Sequence, residues 1–287
     1  MFQHLKQFLF PQKPLYVREL FGGRATIIVF GAGRDWACRG ETVAEIERNN
    51  PGIAKEYARV QKTFQIRRVL FPKPTFNAQV VFAKDLTQEL LPNIFRGADA
   101  DGVILREAGD AYFLTSADCL CAAFYDAQAN AVAALHCGRD AVVDRKRLNE
   151  GESARREHES VVDAAVELVG HKMHRDQLQA FLAAGIRPES FDHPTENHEH
   201  AEANKRLIQH IGSLGASESI MQDVSKGTID LFALVRHQLM QHGVKREAIL
   251  EDTLDTATSK DAHGHFLLHS NRRNKLKRNL VIVRFNG

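Results

Sequence analysis

No run of about 18 apolar residues occurs anywhere in the chain, so no membrane-spanning helix is expected. A strong charge of one sign is also missing. Lys and Arg number 38 against 36 Asp and Glu, giving a formal net charge of +2. With no long basic tract either, nucleic acid is not an expected partner. The nearest thing to one is Arg272-Arg273-Asn274-Lys275-Leu276-Lys277-Arg278, which reads either as a solvated turn or as a phosphate-binding patch. Cysteine is scarce, with four residues at uneven spacing. That excludes a disulfide framework and leaves free thiols or metal ligands. The first ten residues, Met1 to Phe10, are too short and interrupted for a secretory signal, so a reducing cytoplasmic setting is expected. No internal repeat and no low-complexity linker is present.

The 287 residues are 44% hydrophobic and 26% charged, the ordinary balance of a soluble globular chain. Apolar, β-branched runs predict strands at Pro14-Val17, Ala25-Phe30, Arg68-Phe71, Ala78-Phe82, Asp101-Leu105, Ala111-Thr115, Leu120-Tyr125, Ala131-His136 and Asn279-Phe285. Leu178 to Ile186 adds another, ending at Pro188. Helical periodicity covers Glu41 to Phe64, broken at Pro51-Gly52, and Leu148 to Val169, Glu199 to Ile211 and Leu231 to His242. Gly31-Ala32-Gly33-Arg34 is a plain turn, since no GxGxxG follows. The expected fold class is α/β (α+β), one mixed-sheet domain over residues 1–287 with flanking helices, and residues 1–12 as a loose extension.

Chemistry concentrates at Thr115-Ser116-Ala117-Asp118-Cys119-Leu120-Cys121 and Ala131-Val132-Ala133-Ala134-Leu135-His136-Cys137-Gly138. If Asp126 and Ala131 close a hairpin, Cys121 lies opposite His136 and Cys119 opposite Gly138. Side chains alternate with period two, so Cys119, Cys121 and His136 share a face and Cys137 points the other way. Directly opposed Cβ atoms are roughly 4.5–5.5 Å apart. Cys119 and His136 then supply two ligands of a zinc site, with Cys121 as a third, or a thiolate–imidazole pair without metal. The plain alternative is that the thiols are small core residues and His136 ends a strand.

The same residues resemble a known family. Ala117-Asp118-Cys119, an apolar strand, then Ala134-Leu135-His136-Cys137-Gly138 is similar to the ADC…AHAGWRG signature of the YfiH-type laccase-domain family. Ala98 to Ile104, Gly185-Ile186-Arg187-Pro188, the Asp230-Leu231…Gln238-Leu239…Gly243-Val244 helix and Ser270-Asn271-Arg272-Arg273-Asn274 resemble its other motifs in order. The resemblance implies a fold shared with the cytotoxic-necrotizing-factor-type cysteine hydrolases. It implies a polyphenol oxidase by family name, and a purine nucleoside phosphorylase or deaminase by activity. Zinc, with copper the lesser candidate, would be held by Cys119 and His136, supported by Asp118. Arg272 and Arg273 would meet an anionic group of a small molecule such as a purine nucleoside or phosphate. The family's third ligand, a QVHG histidine, is replaced here by Val81, leaving Cys121 or Cys137 as substitutes. Arg139-Asp140-Ala141 replaces WRG, and Ala183-Ala184 replaces the opening of the GPxIGP loop. Three readings follow: a nucleoside enzyme with a degenerate metal site, an inactive homologue acting by binding, and a metal-free Cys–His hydrolase or transferase.

Elsewhere, His193-Pro194-Thr195-Glu196-Asn197-His198-Glu199-His200 reads as a polar loop or a metal cluster. His171 and His174 read as surface residues, and Glu150 to Glu159 as a solvated helix face.

Overall fold

The computed structural model describes residues 12–169, 177–215, 217–223 and 225–287. His171, His174 and the first eleven residues of the expected N-terminal extension lie outside the described residues. Gln12 is tied down, its side-chain amide donating to the Gly31 carbonyl at 3.2 Å.

The chain runs β1 (Tyr16–Leu20), β2 (Ala25–Phe30), α1 (Val43–Asn49), α2 (Ile53–Thr63), β3 (Arg68–Leu70), β4 (Val80–Phe82), β5 (Gln88–Leu91), β6 (Ile94–Arg96), β7 (Gly102–Leu105), β8 (Asp110–Ser116), β9 (Leu120–Asp126) and β10 (Ala131–Cys137). Short helices α3 (Arg139–Val142) and α4 (Arg145–Glu150) follow, then α5 (Val161–Val169), β11 (Gln179–Ala183), α6 (Ala201–Gly212), α7 (Ser217–Ile220) and β12 (Met221–Asp223). The chain closes with β13 (Thr228–Ile229), α8 (Leu231–Gln241), β14 (Ile249–Glu251) and β15 (Asn279–Phe285).

Local chemistry accounts for several of these boundaries. Thr42 and Glu45 form a reciprocal capping box at the start of α1. Gly52, at φ +77°, supplies the left-handed turn that separates α1 from α2. The Asp230 side chain accepts from the Ala233 amide and opens α8.

The α/β class holds, but in place of the one expected mixed sheet there are two large ones, with β12 and β13 pairing as a separate two-stranded ribbon. One has seven strands in the order β1-β2-β15-β8-β3-β6-β5 and the other six, β14-β11-β9-β10-β7-β4. Their inner faces share a core: Ile27, Tyr112, Leu114 and Val283 from one, Val103, Ala123, Val132 and Phe181 from the other. Ile46, Ile53, Tyr57 and Val60 of α1 and α2 cover the outside of the first sheet. Helices α5, α6 and α8 cover the outside of the second through residues such as Val162, Leu207 and Val235. Four layers result, helix–sheet–sheet–helix. Strands β8 and β9 are neighbours in sequence but belong to different sheets. The chain crosses between them at Ala117-Asp118-Cys119, where Asp118 adopts φ +83°. Strand periodicity is the same in either sheet, so the pattern alone does not reveal that crossing.

Other differences are local. The expected helix over 148–169 divides at Gly151, whose φ of +92° no helix accommodates, because its polar first half has no apolar stripe to bury. Short strands β5, β6 and β14 were not expected; they are three or four residues long and carry too few periods to read.

Candidate functional site

The β9–β10 hairpin has the expected register, with Ala131 opposite Asp126 and His136 opposite Cys121. On its other side β10 pairs with β7, Leu135 opposite Gly102. One step further the His136 amide donates to the Asp101 carbonyl at 2.6 Å. That step aligns the side chains as well, and His136 Nδ1 donates to Asp101 Oδ1 at 3.2 Å.

Asp101 is held for this task. Its carboxylate also accepts from the Phe76 amide at 2.9 Å, the Asn77 amide at 2.9 Å and the Thr75 hydroxyl at 3.0 Å. Burial acts to raise its pKa, but the His136 imidazole and these donors outweigh that and lower it. An ionised carboxylate on Nδ1 fixes the tautomer and turns Nε2 toward Cys119. Cys119 Sγ and His136 Nε2 lie 3.1 and 3.2 Å from the point a Cβ on Gly138 would occupy, close enough for the sulfur to act electrostatically on the ring. Burial works against a charged ring, yet the sulfur and the carboxylate outweigh it and raise the His136 pKa to about 9. Thiol, imidazole and carboxylate thus stand in the order Cys119–His136–Asp101, the order that a nucleophile, a proton carrier and an orienting acid would need.

Gly138 floors the pair. A Cβ placed on it would stand 3.1 Å from Cys119 Sγ and 3.2 Å from His136 Nε2. The hydrogen atom that glycine carries there leaves room for a reacting atom within reach of both groups. Cys119 is partly exposed while His136 is buried, at 3%.

Asp118 lies beside Cys119 but turns away from it. Its Oδ1 accepts from the Thr256 hydroxyl at 2.7 Å and its Oδ2 from the Asn271 amide at 2.9 Å. The Asp118 carbonyl accepts from the Ile186 amide, and the Ser116 hydroxyl donates to the Cys119 carbonyl, each at 2.9 Å. Asp118 therefore fixes the crossover that presents Cys119. Arg272 pairs with Asp192 at 2.9 Å, and Arg273 donates to the carbonyls of Ala257, Thr256 and Leu268. Arg273 is thus spent on backbone, whereas Arg272 remains partly exposed.

Three donors do not converge on a metal position. Cys121 faces the core between the sheets and Cys137 the core beneath the helices, both fully buried. Burial pushes the Cys121 thiol up to about 12 and the Cys137 thiol well above its ordinary value. Val81 shares a rung with Val103 and Ala134, two residues along the ladder and two strands away from His136. At strand spacings that is on the order of 12 Å. The side chain that does reach the imidazole from this region is Phe76, in the β3–β4 connection, with ring centroids 5.0 Å apart and edge-on at 72°. A phenyl ring has no donor. With Nδ1 committed to Asp101, one thiol and one imidazole nitrogen remain, which does not fit a stable zinc or copper site. Among the described residues no group of three or more His, Cys, Asp or Glu is placed to hold a metal ion.

The histidine-rich loop does not assemble either. His193 is buried against Phe191, its Nδ1 donating to the Gly227 carbonyl at 3.2 Å, while His198 and His200 are exposed. Burial and the nearby arginines lower the His193 pKa to about 4.

A family model described as multi-copper polyphenol oxidoreductase laccase matches residues 44–279. The chain belongs to that family. The fold is similar to Bacillus licheniformis hypothetical protein YfiH, at 14% identity and a TM-score of 0.65, covering 91% of this chain and 92% of that one. It is also similar to YlmD from Geobacillus stearothermophilus, at 16% identity and a TM-score of 0.64, covering 92% of each chain. Neisseria meningitidis protein NMB0706 matches over 97% of both chains at 19% identity and a TM-score of 0.61. No curated protein matches the chain. Among the described residues no helix is long and apolar enough to cross a membrane.

Sequence reasoning paired Cys119 with His136 but missed Asp101 and Phe76. Asp101 had a signal, since continuing the β7–β10 pairing past Leu135 brings it opposite His136. Phe76 had none, because its connection is aperiodic.

Proposed function

We propose that this family member is a metal-independent cysteine hydrolase that cleaves a C–N bond at an amidine or amide carbon of a small heterocycle. The observation that carries this reading is the Cys119–His136–Asp101 alignment, with the donor-free ring of Phe76 as the side chain that meets the imidazole from the β3–β4 connection. The family resemblance directs the reading to purine nucleosides. Of the two reactions it implies, deamination can run through a thiol nucleophile, whereas phosphorolysis takes its nucleophile from phosphate and leaves Cys119 idle.

Cys119 adds as thiolate to the sp² carbon bearing the exocyclic nitrogen; the C–S bond forms as the C=N π bond breaks and its pair moves onto the ring nitrogen, to return when ammonia leaves. His136, raised to about 9 and so charged at neutral pH, gives its Nε2 proton to the departing nitrogen, and ammonia leaves as the C–N bond breaks. The neutral imidazole then takes a proton from water. The oxygen attacks the same carbon, the C–S bond breaks, and the thiolate returns with a carbonyl in the product. One water is consumed and one ammonia released. Asp101 holds the ring in line through both steps. Asp118 fixes the Cys119 backbone, and Arg272 offers a partly exposed guanidinium for an anionic group.

The test is ammonia release from adenosine by chelator-treated protein. Release that survives the chelator and disappears in Cys119→Ala is expected. Release that requires added zinc would overturn the metal-free reading, and no release at high protein concentration would overturn the hydrolase in favour of a binding protein.

A further inference from the structure

Among the described residues, Phe76 is one of nine large apolar side chains that stand open to solvent, at 45% exposure. Its ring also meets the His136 imidazole in a T-shaped contact. Its backbone is held at both ends. The amide donates to Asp101 Oδ1 at 2.9 Å, and the carbonyl accepts from Arg156 Nη1 at 3.1 Å. The Arg156 guanidinium also donates to the carbonyls of Asp140, Ala141, His158 and Glu159, which ties the Phe76 connection to the segment that follows Gly138. Phe76 is kept at φ +58°, a left-handed conformation costly for a side chain of this size. Sequestering this ring in the core would satisfy the hydrophobic effect better, so its exposure and its fixed backbone need a reason.

A cleft of about 320 Å³ opens beside it, lined on one wall by Thr75, Phe76 and Asn77 and on the other by Asp140, Arg145 and Asn149. The phenyl ring thus touches the imidazole and also borders a cavity rich in hydrogen-bonding groups. Such a ring accepts flat π-faced groups whatever their substituents, and the polar walls suit hydroxyls or amides but not an alkyl chain.

We propose that Phe76 is the substrate-selecting wall of this site. A planar heterocycle lies against its exposed ring with the reacting carbon at Cys119, and a polyhydroxyl substituent occupies the cleft. This deepens the hydrolase reading and rests on it for the reacting carbon, but binding alone can be measured without turnover.

The experiment uses the full chain carrying Cys119→Ser, with adenosine as the probe, followed by calorimetry and saturation-transfer NMR. Saturation transfer to the purine protons is expected. Adding Phe76→Leu weakens adenosine about tenfold, the size of one base–aromatic stack, whereas Phe76→Tyr stays within about twofold of the parent. Thermal unfolding checks that each variant is folded, and the tyrosine variant carries the test if leucine is not tolerated. Equal affinity in the leucine variant, a tyrosine variant that loses binding while folded, or no adenosine binding by the parent overturns the proposal. Adenosine binding that depends on Phe76 in a wild-type protein that never releases ammonia sinks the hydrolase and leaves the wall. Ammonia release with unchanged KM in Phe76→Leu does the reverse.

Discussion

Asp101 and His136 are joined twice, once by the His136 amide on the Asp101 carbonyl at 2.6 Å and once by Nδ1 on Oδ1 at 3.2 Å. The backbone bond sets the side-chain bond. A β-ladder fixes which residues oppose each other, so an acid one rung beyond Gly102 cannot avoid the histidine one rung beyond Leu135.

Asp101→Asn keeps the shape and removes the charge that favours the imidazolium. Turnover is expected to fall by about 10²–10⁴-fold, with the alkaline limb of the kcat profile moving to lower pH. An unchanged profile with reduced turnover would make Asp101 merely structural.

The histidines predict opposite pH responses of stability. The folded His136 pKa of about 9 lies above its ordinary 6.5. Its contribution is complete below about pH 6.5 and is lost as pH rises through 9. The folded His193 pKa of about 4 lies below 6.5, so its contribution is present above 6.5 and is lost as pH falls toward 4. Urea unfolding at pH 4.5, 6.5 and 9.5 should show both losses. Cys119→Ala removes one cause of the His136 shift and should shrink the alkaline loss alone.

Phe76→His places a nitrogen against the thiol–imidazole pair. Zinc affinity, read by competition with a chromophoric chelator, should rise at least ~10-fold over the unaltered protein, because a third donor completes the minimum set. Sub-micromolar zinc binding by the unaltered protein would contradict the ligand count.

Gly138→Ala tests the floor of the site. Gly138 has φ −73°, which alanine adopts freely, so the penalty is a methyl 3.1 Å from Cys119 Sγ and 3.2 Å from the His136 ring. Alkylation of Cys119 by iodoacetamide should slow at least ~10-fold, with stability changing by about 1 kcal/mol or less.

Asp118→Ala removes two buried acceptor contacts, to Thr256 and Asn271, and leaves a non-glycine residue at φ +83°. A loss of about 2–4 kcal/mol is expected from denaturant midpoints. Asp118→Asn, which keeps one acceptor and tolerates left-handed φ better, should lose less.

The sequence by itself determined the β9–β10 hairpin and its chemistry. Both strands are apolar on both faces, so the four-residue loop between Asp126 and Ala131 sets the register, and that register puts Cys121 opposite His136 with Cys119 one diagonal step away. It also determined that Cys137 faces away. The pairing logic extended to Asp101 but needed β7 as a neighbour, and nothing local says which strand lies there. Tertiary structure alone decided that β8 and β9 part into two sheets, because burial against a second sheet and burial against helices write the same pattern. It alone turned Asp118 onto Thr256 and Asn271, 138 and 153 residues away. And it alone set Phe76 on the imidazole, through an aperiodic connection held by Arg156 from 80 residues further along the chain. Short-range periodicity encodes which face a residue takes; it carries no information about which distant segment closes over that face.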